Sequence, residues 1–417
     1  MKAEELVTRY KAGDRDFRGA ILFGLIPRGA HLREADLEGA DLRQANLEKA
    51  NLSGANLSGA NLERANLCEA NLERINLSGA NLEGANLCAA NLFKANLERA
   101  HLSEANLERA QLKRANLSRV NLSGANLGQA QLFKAALSGA KLSEADLEGA
   151  DLEGADLEAS DLEGTNLSGA DLEGANLSGA DMERADLREA NLGWATLSGA
   201  VLGGADLREA RLEKAHLNRA NLVRANLEGA YLFKADLSAA CLSGAYLQGA
   251  DLEGVTMRGA DMEGVTLSRA NLREANLSGT SLKGADLEGA DLAWANLEGA
   301  DLREAKLEKA QLKRANLKRA NLSGTYLSEA NLEGATLRGA DLERAQLFKA
   351  NLEGANLSGA DLEATDLREA NLGWANLQRA DLEATDLRKA NLGWANLEWA
   401  HLEGADLREA DLTGTIR

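Results

Sequence analysis

The chain is predicted to be all-β, a polygonal solenoid of short straight sides joined by tight turns. Three observations carry that prediction: an unbroken period of five residues, a small residue two positions before the apolar residue of each period, and glycine at one fixed place in the period. From Phe17 to Leu412 every fifth residue is Leu, apart from Phe17 itself, Pro27, Met182, Met257 and Met262. That makes eighty consecutive pentapeptides without an insertion or deletion, in a chain of 417 residues. The unit is Ala-(Asp/Asn)-Leu-X-X. Period five fits neither the 3.6 residues of a helix turn nor plain strand alternation, yet Ala and Leu two apart point the same way on an extended segment. They form the inside, and the other three residues are expected to face outward. Of the 41 glycines, 35 stand at the second X, where a tight turn uses their backbone freedom.

The number of sides follows from a near-duplication. Residues 361–380 (DLEATDLREANLGWANLQRA) recur at 381–400 with three changes, which makes twenty residues, four pentapeptides, one full coil. About twenty coils result, and at the usual strand spacing they would stack over about 95 Å.

Each end is read separately. Ala3, Leu6, Val7 and Tyr10 lie at helical spacing and Gly13 follows as a stop, so residues 3–12 are expected to form a short helix that caps the first coil. The expected organisation is a capping segment over residues 1–15 and one repeat domain over 16–417. Leu25-Ile26-Pro27 departs from the consensus, and Pro removes a ladder donor, so the first coil is expected to be irregular. No polar cap follows the last repeats, which invites dimerisation through that end.

The run of ADLEG, ANLSG and ADLRE units resembles the pentapeptide-repeat proteins, and the resemblance covers nearly the whole chain. The opening VTRYKAGDRDFRGAIL, residues 7–22, is similar to the first segment of members from photosynthetic bacteria. The resemblance implies a right-handed quadrilateral β-helix and no shared catalytic activity; fold alone does not supply function.

Composition narrows the function classes. With 47 Lys and Arg against 65 Asp and Glu, the net charge of −18 disfavours direct binding to nucleic-acid phosphates. No apolar run is long enough for a membrane span and the start lacks a signal-peptide pattern, so a cytoplasmic protein is expected. No cofactor or metal is called for. His31, His101, His216 and His401 are too far apart to share a site. Cys68 and Cys88 share a column on adjacent coils, within disulfide range by backbone, but parallel side chains suit the bond poorly, and reduced thiols are expected, with an oxidation-sensitive pair as the alternative. Absence of insertions leaves no walls for a catalytic cleft, so the chain is not read as an enzyme.

Residue number modulo twenty maps the surface. Asp146, Glu148, Asp151, Glu153, Asp156, Glu158, Asp161 and Glu163 ring one coil as an acidic collar, read as solvated, with loose divalent-cation or basic-partner binding as the alternative. Lys306, Lys309, Lys313, Arg314, Lys318 and Arg319 make another coil basic. Aromatics gather on the face of the Leu32 column: Phe93, Phe133, Tyr231 and Phe233, with Trp194, Trp294, Trp374 and Trp394; Trp399 lies on the next face. Outward aromatics anchor interfaces, so these nine residues are the candidate partner surface of a rod-shaped scaffold. The alternative, suggested by family members that confer quinolone resistance, is an acidic DNA mimic acting on gyrase.

Overall fold

A computed structural model of the chain describes residues 3–24 and 28–417, grouped in two compact units, Met1–Arg211 and Leu212–Arg417. Each is taken by itself below. The expected irregularity at Leu25-Ile26-Pro27 lies outside the described residues.

Unit 1 opens with α1, Ala3–Lys11. Acidic Glu4 and Glu5 in its first turn and basic Arg9 and Lys11 in its last suit the helix dipole. Gly13 stops it: at φ +100° it takes a backbone conformation that L side chains rarely adopt, and its N–H donates to the Tyr10 carbonyl at 3.0 Å. Leu6 is fully buried, and the Tyr10 hydroxyl donates to the Arg33 carbonyl at 3.0 Å.

After α1 both units are built from one device. In unit 1 the parallel bridges run from Asp16↔Asp36 to Asn191↔Arg211, and in unit 2 from His216↔Asp236 to Asn396↔Ile416, each joining residue i to i+20. Four bridge positions recur per twenty residues, so each coil has four sides. A side is one bridged residue between two turns, shorter than an ordinary strand.

Residues 146–150 show how a pentapeptide satisfies its backbone donors. Asp146 N–H reaches back a coil to the Ala125 carbonyl (2.9 Å), Leu147 N–H reaches forward to Asn166 (2.7 Å), and Gly149 N–H reaches forward to Ser168 (3.0 Å). Ala150 N–H closes the turn on the Leu147 carbonyl at 3.0 Å. The fifth donor, Glu148 N–H, bonds to Oδ1 of Asp146 at 3.1 Å. Asp and Asn therefore do not simply point outward as expected: they fold into Asx turns, capping the N–H two residues on. Positive φ at the second X alone, +61° at Gly149, is the signature of a type II turn. Where another residue stands there it takes the same conformation, as at Arg64 (54°) and Ala159 (51°).

Asn adds what Asp cannot, a donor. Nδ2 of Asn116, Asn96, Asn76 and Asn56 each donate to Oδ1 one coil earlier, at 3.1, 3.1, 2.9 and 3.0 Å, and the chain of bonds ends on Asp36. Inside, Leu37 to Leu397 and their paired Ala residues are buried, almost all completely. Threonines at the small position keep the interior satisfied; Thr165 and Thr385 hydroxyls donate to the Leu142 and Leu362 carbonyls, each at 2.8 Å.

Candidate interaction surface

Because Ala, Asx and Leu are committed to core and turn, the two X positions at each corner carry the surface chemistry. The five tryptophans all occupy the second X, with φ between 60° and 64°. Gly193, Ala293, Gly373 and Gly393, which precede Trp194, Trp294, Trp374 and Trp394, are buried, whereas that position is otherwise exposed or half-buried. Trp399 differs, following the large Glu398.

The structure brings two of the predicted aromatics together. Trp374 and Trp394 stack with ring centroids 5.3 Å apart and planes 9° from parallel. Both stay open to solvent, at 63% and 55% exposure. Gly414 sets the far side: a Cβ there would come within 2.7 Å of the Trp394 ring, so only glycine lets that indole lie flat. Trp399 stands on the next corner, 72% exposed, its Nε1–H donating to Glu398 at 3.1 Å. It joins no ring stack among the described residues. Trp294 lies under the Arg314 guanidinium, 4.8 Å from the ring centroid, and Trp194 is exposed on unit 1.

Phe93, Phe133 and Phe233 are half-buried at the first X, each beneath the lysine that follows it. Lys94, Lys134 and Lys234 place Nζ 5.1, 4.8 and 4.9 Å from the ring centroids. Tyr231 is exposed at a bridge position. The predicted set omitted Phe348, whose Lys349 sits 4.9 Å from its ring on another column, and the exposed Tyr246 and Tyr326. The recurring Phe-Lys-Ala triplet was the available signal for Phe348.

Charge is organised in ladders. On unit 2, Arg368, Arg388 and Arg408 each bind the aspartate two residues earlier through Nη2, at 2.6, 2.6 and 2.5 Å, and Arg388 Nε also approaches Asp406 at 3.6 Å. The Arg408 hydrogen bond pulls the Asp406 carboxyl down to about 2, and Arg388 likewise holds Asp386 below the usual carboxylate range. In the acidic collar the four aspartates turn inward, each capping its own turn, and Glu163 pairs with Arg184. In the basic coil Lys313 pairs with Glu333 at 2.9 Å and Lys318 with Glu298 at 3.0 Å.

Cys68 and Cys88 form a disulfide, correcting the expectation of reduced thiols. Their Cα atoms are 4.7 Å apart because the columns stack in register, and side chains in one column meet without backbone movement. Cys241 is free and half-buried.

A family model described as pentapeptide repeats matches residues 28–416 in fifteen stretches. The chain belongs to the pentapeptide repeat family. Its fold is accordingly the right-handed quadrilateral β-helix of that family, and no enzymatic family is indicated. Among solved pentapeptide repeat structures, HetL from the cyanobacterium Nostoc sp. strain PCC 7120, involved in heterocyst differentiation regulation, is 38% identical. That match covers 54% of this chain and 89% of HetL, with a TM-score of 0.31. Rfr23 from the cyanobacterium Cyanothece 51142 is 39% identical over 24% of this chain and 63% of its own, with a TM-score of 0.15. QnrB1, a plasmid-mediated fluoroquinolone resistance protein, is 22% identical over 40% of this chain and 90% of its own, with a TM-score of 0.22. No curated protein matches significantly.

Proposed function

We propose that this pentapeptide repeat protein is a non-enzymatic, cytoplasmic scaffold that presents corner aromatics to protein partners. The observation that carries the reading is the Trp374–Trp394 stack, two large apolar rings left in solvent, with Gly414 leaving the space in which the Trp394 ring lies. Rings fixed before a partner arrives lose little freedom on binding. No helix among the described residues is long and apolar enough to cross a membrane.

The reading includes three finer elements. We infer that α1 caps the first coil, supported by the burial of Leu6 and the Tyr10–Arg33 hydrogen bond, ahead of one repeat domain of about twenty coils. We infer a homodimer through the C-terminal coils, where Leu402, Leu407 and Leu412 are only half-buried near Trp394 and Trp399. And Phe93, Phe133, Trp194, Tyr231, Phe233 and Trp294 extend the partner surface as single contacts.

The test is affinity capture from the protein's own cells with the parent and with Trp374→Ser/Trp394→Ser, after circular dichroism has shown both to be folded alike. Partners held by the parent and lost by the variant support the reading. Identical capture by both would refute it.

A further inference from the structure

We propose that unit 1 carries a self-complementary charged strip through which two copies of the chain pair side by side in antiparallel sense. One corner column holds Lys94, Lys113, Arg114 and Lys134 on three successive coils, and none of them joins an ion pair among the described residues. Lys94 and Lys134 rest on their own phenylalanine rings. The next two coils of the same column reverse sign, with exposed Glu153 and Glu173. Neither glutamate joins an ion pair among the described residues, although Glu173 accepts a hydrogen bond from Asn191 Nδ2 at 3.2 Å.

The Lys234 and Glu253 corner of unit 2 repeats this unpaired lysine–glutamate step, whereas three other corners do not. Lys49–Glu69 (3.2 Å), Lys313–Glu333 (2.9 Å) and Lys349–Glu369 (3.6 Å) each pair a corner lysine with a glutamate one coil on. Lys134 leaves Glu153 unpaired, though its own N–H donates to the Glu153 carbonyl at 2.9 Å. Cations and carboxylates are thus adjacent, exposed and mutually unneutralised.

A strip that changes sign halfway along is complementary to itself under a two-fold axis. With the axis between the coils of Lys134 and Glu153, Lys134 faces Glu153 of the second copy. One coil further out Lys113 and Arg114 face Glu173, and one beyond that Lys94 comes level with the corner of Trp194. Shape agrees with charge at Gly174, which follows Glu173: a Cβ there would meet nothing within 4 Å, which leaves room for an opposing long basic side chain, whereas Gly154 is covered by the Lys134 side chain of its own copy. The acidic half argues against a phosphate-rich partner, since it would repel phosphates along the same line. Five coil steps span about 24 Å, a contact below the size of a permanent interface, so the dimer is reversible.

Zero-length carbodiimide cross-linking of a mixture of unlabelled and isotope-labelled protein tests this. Heavy–light cross-links between peptides carrying Lys113 or Lys134 and those carrying Glu153 or Glu173 are expected. In sedimentation experiments Lys94→Glu/Arg114→Glu/Lys134→Glu and Glu153→Lys/Glu173→Lys each weaken dimerisation by at least roughly tenfold, and the five changes combined restore it. Absence of heavy–light cross-links in the parent, or failure of the combined variant to recover, overturns the proposal. So does retention of the parent by inorganic polyphosphate without those cross-links, which would assign the basic half to an anion. Trp374→Ser/Trp394→Ser keeps the cross-links, so this strip and the aromatic surface stand or fall separately.

Discussion

Truncating one core leucine within unit 2 should open the solenoid locally and at a cost set by the ladder. Leu322 is fully buried, and the coils on either side are pinned to its own: Leu302 N–H bonds Asn321 and Leu322 N–H bonds Asp341, at 2.7 and 2.6 Å. Leu322→Ala removes three carbon groups, about 2.4 kcal/mol at about 0.8 kcal/mol each. The ladder fixes the coil spacing, so neighbouring leucines cannot close in; an unfilled space of about 70 Å³ at about 24 cal/mol per Å³ adds about 1.7 kcal/mol. The sum is about 4 kcal/mol, against a change within about 0.5 kcal/mol for Glu363→Gln on the exposed corner. Native-state hydrogen exchange by mass spectrometry is the assay. Repeats couple to their nearest neighbours, so lost protection should centre on the coils holding Leu302, Leu322 and Leu342 and fade beyond them. A protection loss spread evenly over unit 2, or none, would refute the reasoning about a ladder-pinned core.

Three other outcomes are expected. Acid should destabilise the fold at low pH: Asp186, Asp206, Asp301 and Asp386 have carboxyls held below the usual range by arginine hydrogen bonds, so their contribution is present above about pH 4 and lost as pH falls through their lowered values; thermal melts between pH 6 and pH 2 read it, and a flat profile contradicts it. Ala159→Gly should stabilise by about 1 kcal/mol in chemical denaturation, because Ala159 holds φ 51° at a turn where glycine carries no Cβ penalty, whereas Ala155→Gly in the buried position should not. Excess protein should leave gyrase supercoiling unaffected, since basic strips and Asp–Arg ladders interrupt the acidic surface where a duplex carries regular charge; inhibition at low stoichiometry would favour the DNA-mimic reading instead.

The repeat made most of the architecture legible. Period five placed Leu and Ala inside, the duplication at 361–400 set the register that the bridges follow, and α1 ends within one residue of its expected limit. What stayed hidden depends on hydrogen bonds and side-chain direction. Counting outward positions treated Asp and Asn as surface, because nothing in their spacing says that Oδ1 of Asp146 returns to its own turn. The same counting put Cys68 and Cys88 in one column but ranked reduced thiols above the bond that the side-chain directions allow. For the candidate surface, the sequence placed Trp374 and Trp394 in one column, while the stacking, the burial of Gly373 and Gly393 and the role of Gly414 emerge only from the ring positions. The lysines over Phe93, Phe133 and Phe233 follow from the left-handed backbone at the second X, which turns each side chain back over its neighbour.

The same bookkeeping of donors locates where specificity can reside. Three of every five residues are spoken for: the small residue and Leu by the interior, Asx by the turn it caps and the ladder it joins. A change at any of them costs core packing or an unsatisfied amide, so recognition is left to the two corner positions. At those corners a residue sees its column neighbours one coil before and after, and side chains of successive coils meet along the column. Arg314 over Trp294, Trp374 on Trp394 and Trp394 over Gly414 are three results of that one geometry. A partner therefore reads columns rather than scattered residues, and the meaningful perturbation is a change of two successive members of a column. That is why the paired substitution Trp374→Ser/Trp394→Ser, and not either one alone, is the decisive test of the aromatic surface: after a single change the remaining indole can still lie over the corner, whereas the double change removes both rings and leaves the turns that held them intact.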